Sequence, residues 1–136
     1  MLNQKILISQ PNWCIHFNMN ILVVDDNRSI RMVIEQLVEK INPSITVASC
    51  ANKEDAQEMI NRHTFDGAIL DLVLENGTGV EIAKFCEEKN IPVVFCTSTS
   101  DDHNTKMMYR YGWIIPKPIM VESISRCIEY FKTFKR

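Results

Sequence analysis

Ile21-Leu22-Val23-Val24-Asp25-Asp26 decides the fold, because four apolar residues run unbroken into two carboxylates. A strand covered by helices on both faces has no solvent side, so its sequence does not alternate. Three more segments repeat the pattern: Ala68-Ile69-Leu70 runs into Asp71, Val93-Val94-Phe95-Cys96 into Thr97-Ser98-Thr99, and Trp113-Ile114-Ile115 through Pro116 into Lys117-Pro118. Open α/β sheets bind ligands outside the carboxyl ends of their strands. Asp25, Asp26 and Asp71 therefore belong to one anionic cluster that needs a cation. Mg²⁺ suits it, since that ion takes hard oxygen ligands, usually one or two carboxylates, and completes its shell with waters and phosphate oxygens.

Helical periodicity fills the gaps between these strands. Ile30, Val33, Ile34, Leu37, Val38 and Ile41 share one helical face, with Asn27 or Ser29 placed to cap its start and Asn42-Pro43 to end it. Ile45-Thr46-Val47-Ala48 alternates as a half-exposed strand does, which puts the second strand at a sheet edge. A second helix over about 53 to 63 buries Ala56, Met59 and Ile60. A third, about 80 to 89, follows a loop holding Gly77 and Gly79 and turns Ile82, Ala83 and Cys86 inward. Ser100, Asp101 or Asp102 caps a weakly patterned fourth helix ending at Tyr111. A fifth, about 121 to 135, aligns Val121, Ile124, Cys127 or Ile128, and Phe131. Five strands and five helices in strict alternation specify a parallel sheet with right-handed crossovers. Residues 1–18 are expected to stand outside this pattern as an N-terminal extension and residues 19–136 to form the domain, with no room expected within this sequence for an output domain.

Composition narrows the function. Lys plus Arg number 15 against 17 Asp plus Glu, so the basic footprint of direct nucleic-acid binding is missing. The 5 cysteines are odd in number and lack CxxC spacing, which reads as reduced thiols in a cytoplasmic protein. No apolar run approaches the length of a membrane span, so no membrane partner is expected.

The ordered set of acid pair, lone Asp, hydroxyl and Lys-Pro, each at a strand end, resembles the receiver domain of two-component response regulators over about residues 19 to 135. The resemblance implies a doubly wound, flavodoxin-like five-stranded parallel sheet of order 2-1-3-4-5, with helices on both faces and Pro116 on an edge strand, where its missing N–H is tolerated. It implies that Asp71 accepts a phosphoryl group. Mg²⁺ would be held by Asp26, Asp71 and the main-chain oxygen of Val73, with Asp25 acting through water. Thr97 and Lys117 would contact the phosphoryl group, Lys117 pairing with Asp71 beforehand, and the Lys117-Pro118 bond would be cis. The partners implied are a histidine kinase or phosphotransfer protein, a downstream effector, and a second copy of the domain brought in by phosphorylation. The output surface would be the fourth helix, fifth strand and fifth helix.

Several residues depart from the family pattern. Glu75 stands where proline is common, Ser98 replaces a small residue beside the switch hydroxyl, and Ile114 occupies a position usually aromatic, with Trp113 facing the other way. Such a domain catalyses its own phosphotransfer without being a turnover enzyme. A phosphatase with a strand-end Asp nucleophile needs a second acid two residues later, where this chain has Val73. A dinucleotide or flavin fold needs a glycine-rich phosphate loop, where it has Asp25-Asp26-Asn27. The alternative that remains is a receiver-like interaction module independent of phosphorylation.

Overall fold

A computed structural model describes residues 18–98 and 109–134. The elements are β1 (Asn20–Val24), α1 (Arg28–Ile41), β2 (Thr46–Cys50), α2 (Lys53–Arg62), β3 (Gly67–Leu70), the two-residue strands β4 (Val73–Leu74) and β5 (Gly77–Thr78), α3 (Gly79–Glu88), β6 (Val93–Thr97), β7 (Gly112–Pro116) and α4 (Val121–Thr133). The main sheet has the order β2-β1-β3-β6-β7 with every pair parallel. Counted without the small β4–β5 hairpin, that is the order 2-1-3-4-5. The N-terminal extension lies outside the described residues up to residue 17. The fourth helix expected to end at Tyr111 also lies outside them, apart from a helical turn at 109–111.

Each strand feeds two cores because successive side chains point to opposite faces. Leu22, Val24, Ala68, Leu70, Val93 and Phe95 pack with Ala56 and Ile60 of α2 and Ile82, Ala83 and Cys86 of α3. Ile21, Val23, Ile69, Val94 and Cys96 pack on the other side with Ile34 and Val38 of α1 and Ile124, Cys127, Ile128 and Phe131 of α4. Full burial of one such aliphatic side chain contributes about 1.5–3 kcal/mol. An N-cap such as Asn27, whose side chain takes the N–H groups of Ser29 and Ile30, adds about 1 kcal/mol. Packing therefore sets where the helices lie, and the caps set where they begin.

Two helix positions correct the periodic reading. Val33 is 39% exposed and Val121 41%. Val33 sits about 100° around the helix from Ile34 at 3.6 residues per turn, which takes it off the sheet-facing stripe centred on Ile34 and Val38. Val121 opens α4, one turn ahead of the buried stretch that starts at Ile124. On β7, Ile114 packs with the α2–α3 core. Trp113 turns to the opposite face and stacks on Tyr130 at 4.7 Å between ring centroids.

Gly67 on the central strand β3 faces the ring of Phe131, and a Cβ there would lie 2.3 Å from ring carbons. Gly67→Ala should therefore cost about 1–3 kcal/mol, the usual range for overpacking, measured as a lower urea midpoint at unchanged slope. Adding Phe131→Leu should recover part of that loss, and two fully additive penalties would show that the two side chains do not compete for the same space.

Of the cysteines, Cys86, Cys96 and Cys127 are buried free thiols and Cys50 is partly buried; Cys14 lies outside the described residues. Burial pushes each of the three buried thiols up to about 12, so they remain protonated and weakly nucleophilic. No helix among the described residues is long and apolar enough to cross a membrane.

Candidate functional site

Two acids are delivered by backbone ladders that run one residue past the strands. The N–H of Asp25 donates to the carbonyl of Cys50 at 3.2 Å, and that of Asp71 to the carbonyl of Val24 at 2.9 Å. Asp25 and Asp71 are thereby held side by side at the carboxyl edge of β1 and β3, 2% and 8% exposed, while Asp26 turns outward into solvent. Asp25, Asp26 and Asp71 each offer one carboxylate oxygen such that all three lie within 4.8 Å of one another.

Lys117 enters from the end of β7, where its N–H donates to the carbonyl of Thr97 at 3.2 Å and its peptide bond to Pro118 is cis. Its ammonium reaches both buried acids, at 2.9 Å to Oδ2 of Asp25 and 3.4 Å to Oδ2 of Asp71. The shorter contact is thus to Asp25, where the resemblance points first to Asp71. Oδ1 of Asp25 accepts the N–H of Asn27 at 2.9 Å, so both oxygens of Asp25 are engaged. Asp26, by contrast, is exposed. Thr97, 4% exposed, closes β6 opposite Pro116.

These contacts set the electrostatics. Burial raises the carboxyl of Asp71 above its ordinary range, the neighbouring charge of Asp25 raises it further, and Lys117 pulls the other way. For Lys117, burial alone favours the neutral form, but its hydrogen bond to Asp25 and the charges of Asp25 and Asp71 outweigh this and hold the ammonium above its usual value. The donor set consists of hard oxygens with one solvent-facing carboxylate, which fits a small divalent cation that keeps several waters.

The segment after Asp71 is more ordered than a glycine-containing loop. Val73 pairs with Thr78 and Leu74 with Gly77 in a short antiparallel hairpin. Val73 itself is 62% exposed, and Glu75 sits exposed at the turn. A reciprocal capping box then starts α3: Thr78 accepts the N–H of Glu81, and the Glu81 carboxylate accepts the N–H of Thr78 at 2.8 Å. Thr78-Gly79-Val80-Glu81 carries the T-x-x-E signature that announces such a cap, and it places the helix start one residue before the periodicity does. Gly79 lies so close to the main chain of Asp71 that a Cβ would meet the Asp71 carbonyl oxygen at 2.2 Å, while its N–H donates to the carbonyl of Leu72 at 2.8 Å. Lys53 at the start of α2 meets Glu81 at 3.5 Å. Periodicity also leaves unseen Arg31, whose guanidinium donates to the carbonyl of Asp25 at 2.7 Å.

A sequence model of the response regulator receiver domain matches residues 21–129, and the chain belongs to that family of two-component signalling modules. It is 29% identical over 118 residues to stress response regulator protein 1 of Debaryomyces hansenii, covering 81% of this chain and 49% of that protein. It is 28% identical over 85 residues to the transcriptional regulatory protein SrrA of Staphylococcus aureus, covering 62% of this chain and 34% of that one. The chain thus spans about a third to a half of these curated relatives. Among solved structures, the CheY-like response regulator receiver domain protein of Methanospirillum hungatei JF-1 superposes with a TM-score of 0.77 at 21% identity, covering 85% of this chain and 95% of that one. That likeness speaks for the fold.

Proposed function

We propose that residues 19–136 act as a Mg²⁺-dependent phosphoacceptor switch, with Asp71 as the nucleophile. The observation that carries this reading is the cluster of Asp25, Asp26 and Asp71, with ligand oxygens within 4.8 Å of one another and Lys117 reaching Asp25 and Asp71. Asp26, Asp71 and the main-chain oxygen of Val73 are the ligands assigned to Mg²⁺, with Asp25 acting through water. The bound ion supplies positive charge against the repulsion between a carboxylate and an incoming phosphoryl group. A carboxylate oxygen of Asp71 attacks phosphorus as the donor's bond to it breaks, leaving an acyl phosphate. Thr97 and Lys117 are the residues assigned to donate to the phosphoryl oxygens.

The donor assigned here is a histidine kinase or phosphotransfer protein, and the setting is the cytoplasm. The module performs its own transfer once per signal and does not turn over a substrate. Output is assigned to β7 and α4 together with the fourth helix expected before β7, whose body lies outside the described residues, and is read by an effector or a second copy of the domain. New charged acceptors at Asp71 bias whichever conformer offers them more donors.

Acetyl phosphate with and without Mg²⁺ tests the chemistry, read by intact mass. The chain should gain one phosphoryl group only with Mg²⁺, and equal labelling without it would refute the assignment. In calorimetric titrations Asp26→Asn should weaken Mg²⁺ binding by at least the roughly 10–100-fold that loss of an outer-sphere partner costs. Asp25→Asn should weaken it less, and the reverse ranking would exchange the roles of the two acids.

A further inference from the structure

Arg31 has no part in the chemistry above, yet it is tied to the site. Its Nη1 donates to the main-chain carbonyl of Asp25 at 2.7 Å. That carbonyl lies one residue beyond the ladder of β1, because Val24 is the last residue whose carbonyl pairs with the β3 segment, through the N–H of Asp71. Asp25 is 2% exposed, and a buried carbonyl without a donor is costly. A guanidinium fills the gap with a short, charge-assisted bond. Arg31 also sits in the first turn and a half of α1, whose cap is Asn27. The bond therefore ties the start of the helix back to the end of the strand, across the segment that carries both acids.

Asp26 makes the consequence specific. Its side chain takes part in no hydrogen bond or ion pair among the described residues, so only the main chain holds it near Asp25 and Asp71. The peptide joining Asp25 to Asp26 is restrained on one side by Arg31 and on the other by the N–H of Asn27, which donates to Oδ1 of Asp25 at 2.9 Å. We infer that Arg31 is a positioning residue for the cation site, fixing the Asp25–Asp26 peptide so that the Asp26 carboxylate stays within ligating distance of Asp71. This rests on the reading of Asp25, Asp26 and Asp71 as the Mg²⁺ site.

The charge of Arg31 and its hydrogen bond act in opposite directions, which makes the inference testable by sign. A cation beside an acidic cluster repels Mg²⁺, so loss of charge alone would tighten binding by a few-fold. Loss of a bond that orients a ligand weakens binding by about 10–100-fold. Mg²⁺ should be titrated calorimetrically into the full chain as wild type, Arg31→Met and Arg31→Lys, with urea unfolding measured in parallel without metal. Arg31→Met should bind Mg²⁺ about tenfold more weakly or worse. Arg31→Lys, which keeps a donor on a flexible stem, should fall between it and the wild type. Labelling of Arg31→Met by acetyl phosphate should be slow at low Mg²⁺ and approach the wild-type rate at saturation. Tighter or unchanged Mg²⁺ binding in a folded Arg31→Met would overturn the inference, as would a lower urea midpoint with an unaltered Mg²⁺ dissociation constant. If Arg31→Met does not fold, Arg31→Lys decides, with weaker binding supporting the inference and wild-type binding refuting it. A wild-type chain that does not bind Mg²⁺ would remove the site and this inference together, whereas wild-type binding with indifferent Arg31 variants would remove this inference alone.

Discussion

Asp71→Asn should take up no phosphoryl group from acetyl phosphate or a kinase and, in metal-free buffer at neutral pH, should unfold at a higher temperature than the wild type. The first outcome follows from the role assigned to Asp71, since an amide is a poor nucleophile and makes no acyl phosphate. The second follows from its surroundings. Burial and the charge of Asp25 raise its folded-state pKa above the ordinary 3.8, so the folded protein binds that proton more tightly than the unfolded chain does. Stability then falls as pH rises from the unfolded value through the folded one, and the full penalty is present above both. The amide removes the penalty. Its advantage should be greatest at neutral pH, amount to a few degrees, and vanish below about pH 4, where both states of the wild type are protonated. Mg²⁺ should reverse the order by stabilising the wild type more. A mutant that still gains a phosphoryl group at the wild-type level would remove Asp71 from its role. A mutant that melts lower at neutral pH without metal would contradict the electrostatic reading.

Lys117→Met should produce the larger change in stability. The ammonium lies 2.9 Å from an acid that is 2% exposed and 3.4 Å from another. Taking one partner from a buried ion pair typically costs about 3–5 kcal/mol, because the remaining charge is left uncompensated. The loss should be greatest at neutral pH and shrink as pH falls, since Asp71, already held above its ordinary range by burial and the charge of Asp25, recovers stability by taking up a proton. Lys117 and a divalent cation both draw on the negative charge of Asp25 and Asp71, so the variant should also bind Mg²⁺ more tightly than the wild type, and Mg²⁺ should restore much of its lost stability. Calorimetry and urea unfolding at two pH values would measure both effects. Weaker Mg²⁺ binding by Lys117→Met would mean that the lysine builds the cation site instead of opposing it.

How far these features were legible depended on their range along the chain. Unbroken apolar runs ending in acids, a hydroxyl or a lysine announced both the parallel sheet and the carboxyl edge where Asp25, Asp26, Asp71, Thr97 and Lys117 gather. For β1, β3 and β6, solvent exclusion on both faces accounts for the unbroken apolar runs. Pro116 marked an edge strand for an equally local reason. The exposure of Val33 was hidden because a stripe of six apolar residues is wider than the strip of sheet beneath it. The hairpin at Val73–Leu74 and Gly77–Thr78 is too short to carry a periodicity, although the cap behind it had a readable signature. The preference of Lys117 for Asp25 and the bond from Arg31 to a main-chain oxygen are matters of ångströms between distant segments, and no spacing in the sequence records them.

The buried thiols give the molecule a timekeeper of its own. Cys86 lies in the layer between the sheet and helices α2 and α3, while Cys96 and Cys127 lie in the layer beneath α1 and α4. A thiol reagent meets them only when the covering layer lifts, so alkylation of each records the opening of one side of the sheet. Peptide mapping after a timed pulse would thus distinguish loosening of one layer from loosening of the other within a single unmodified chain.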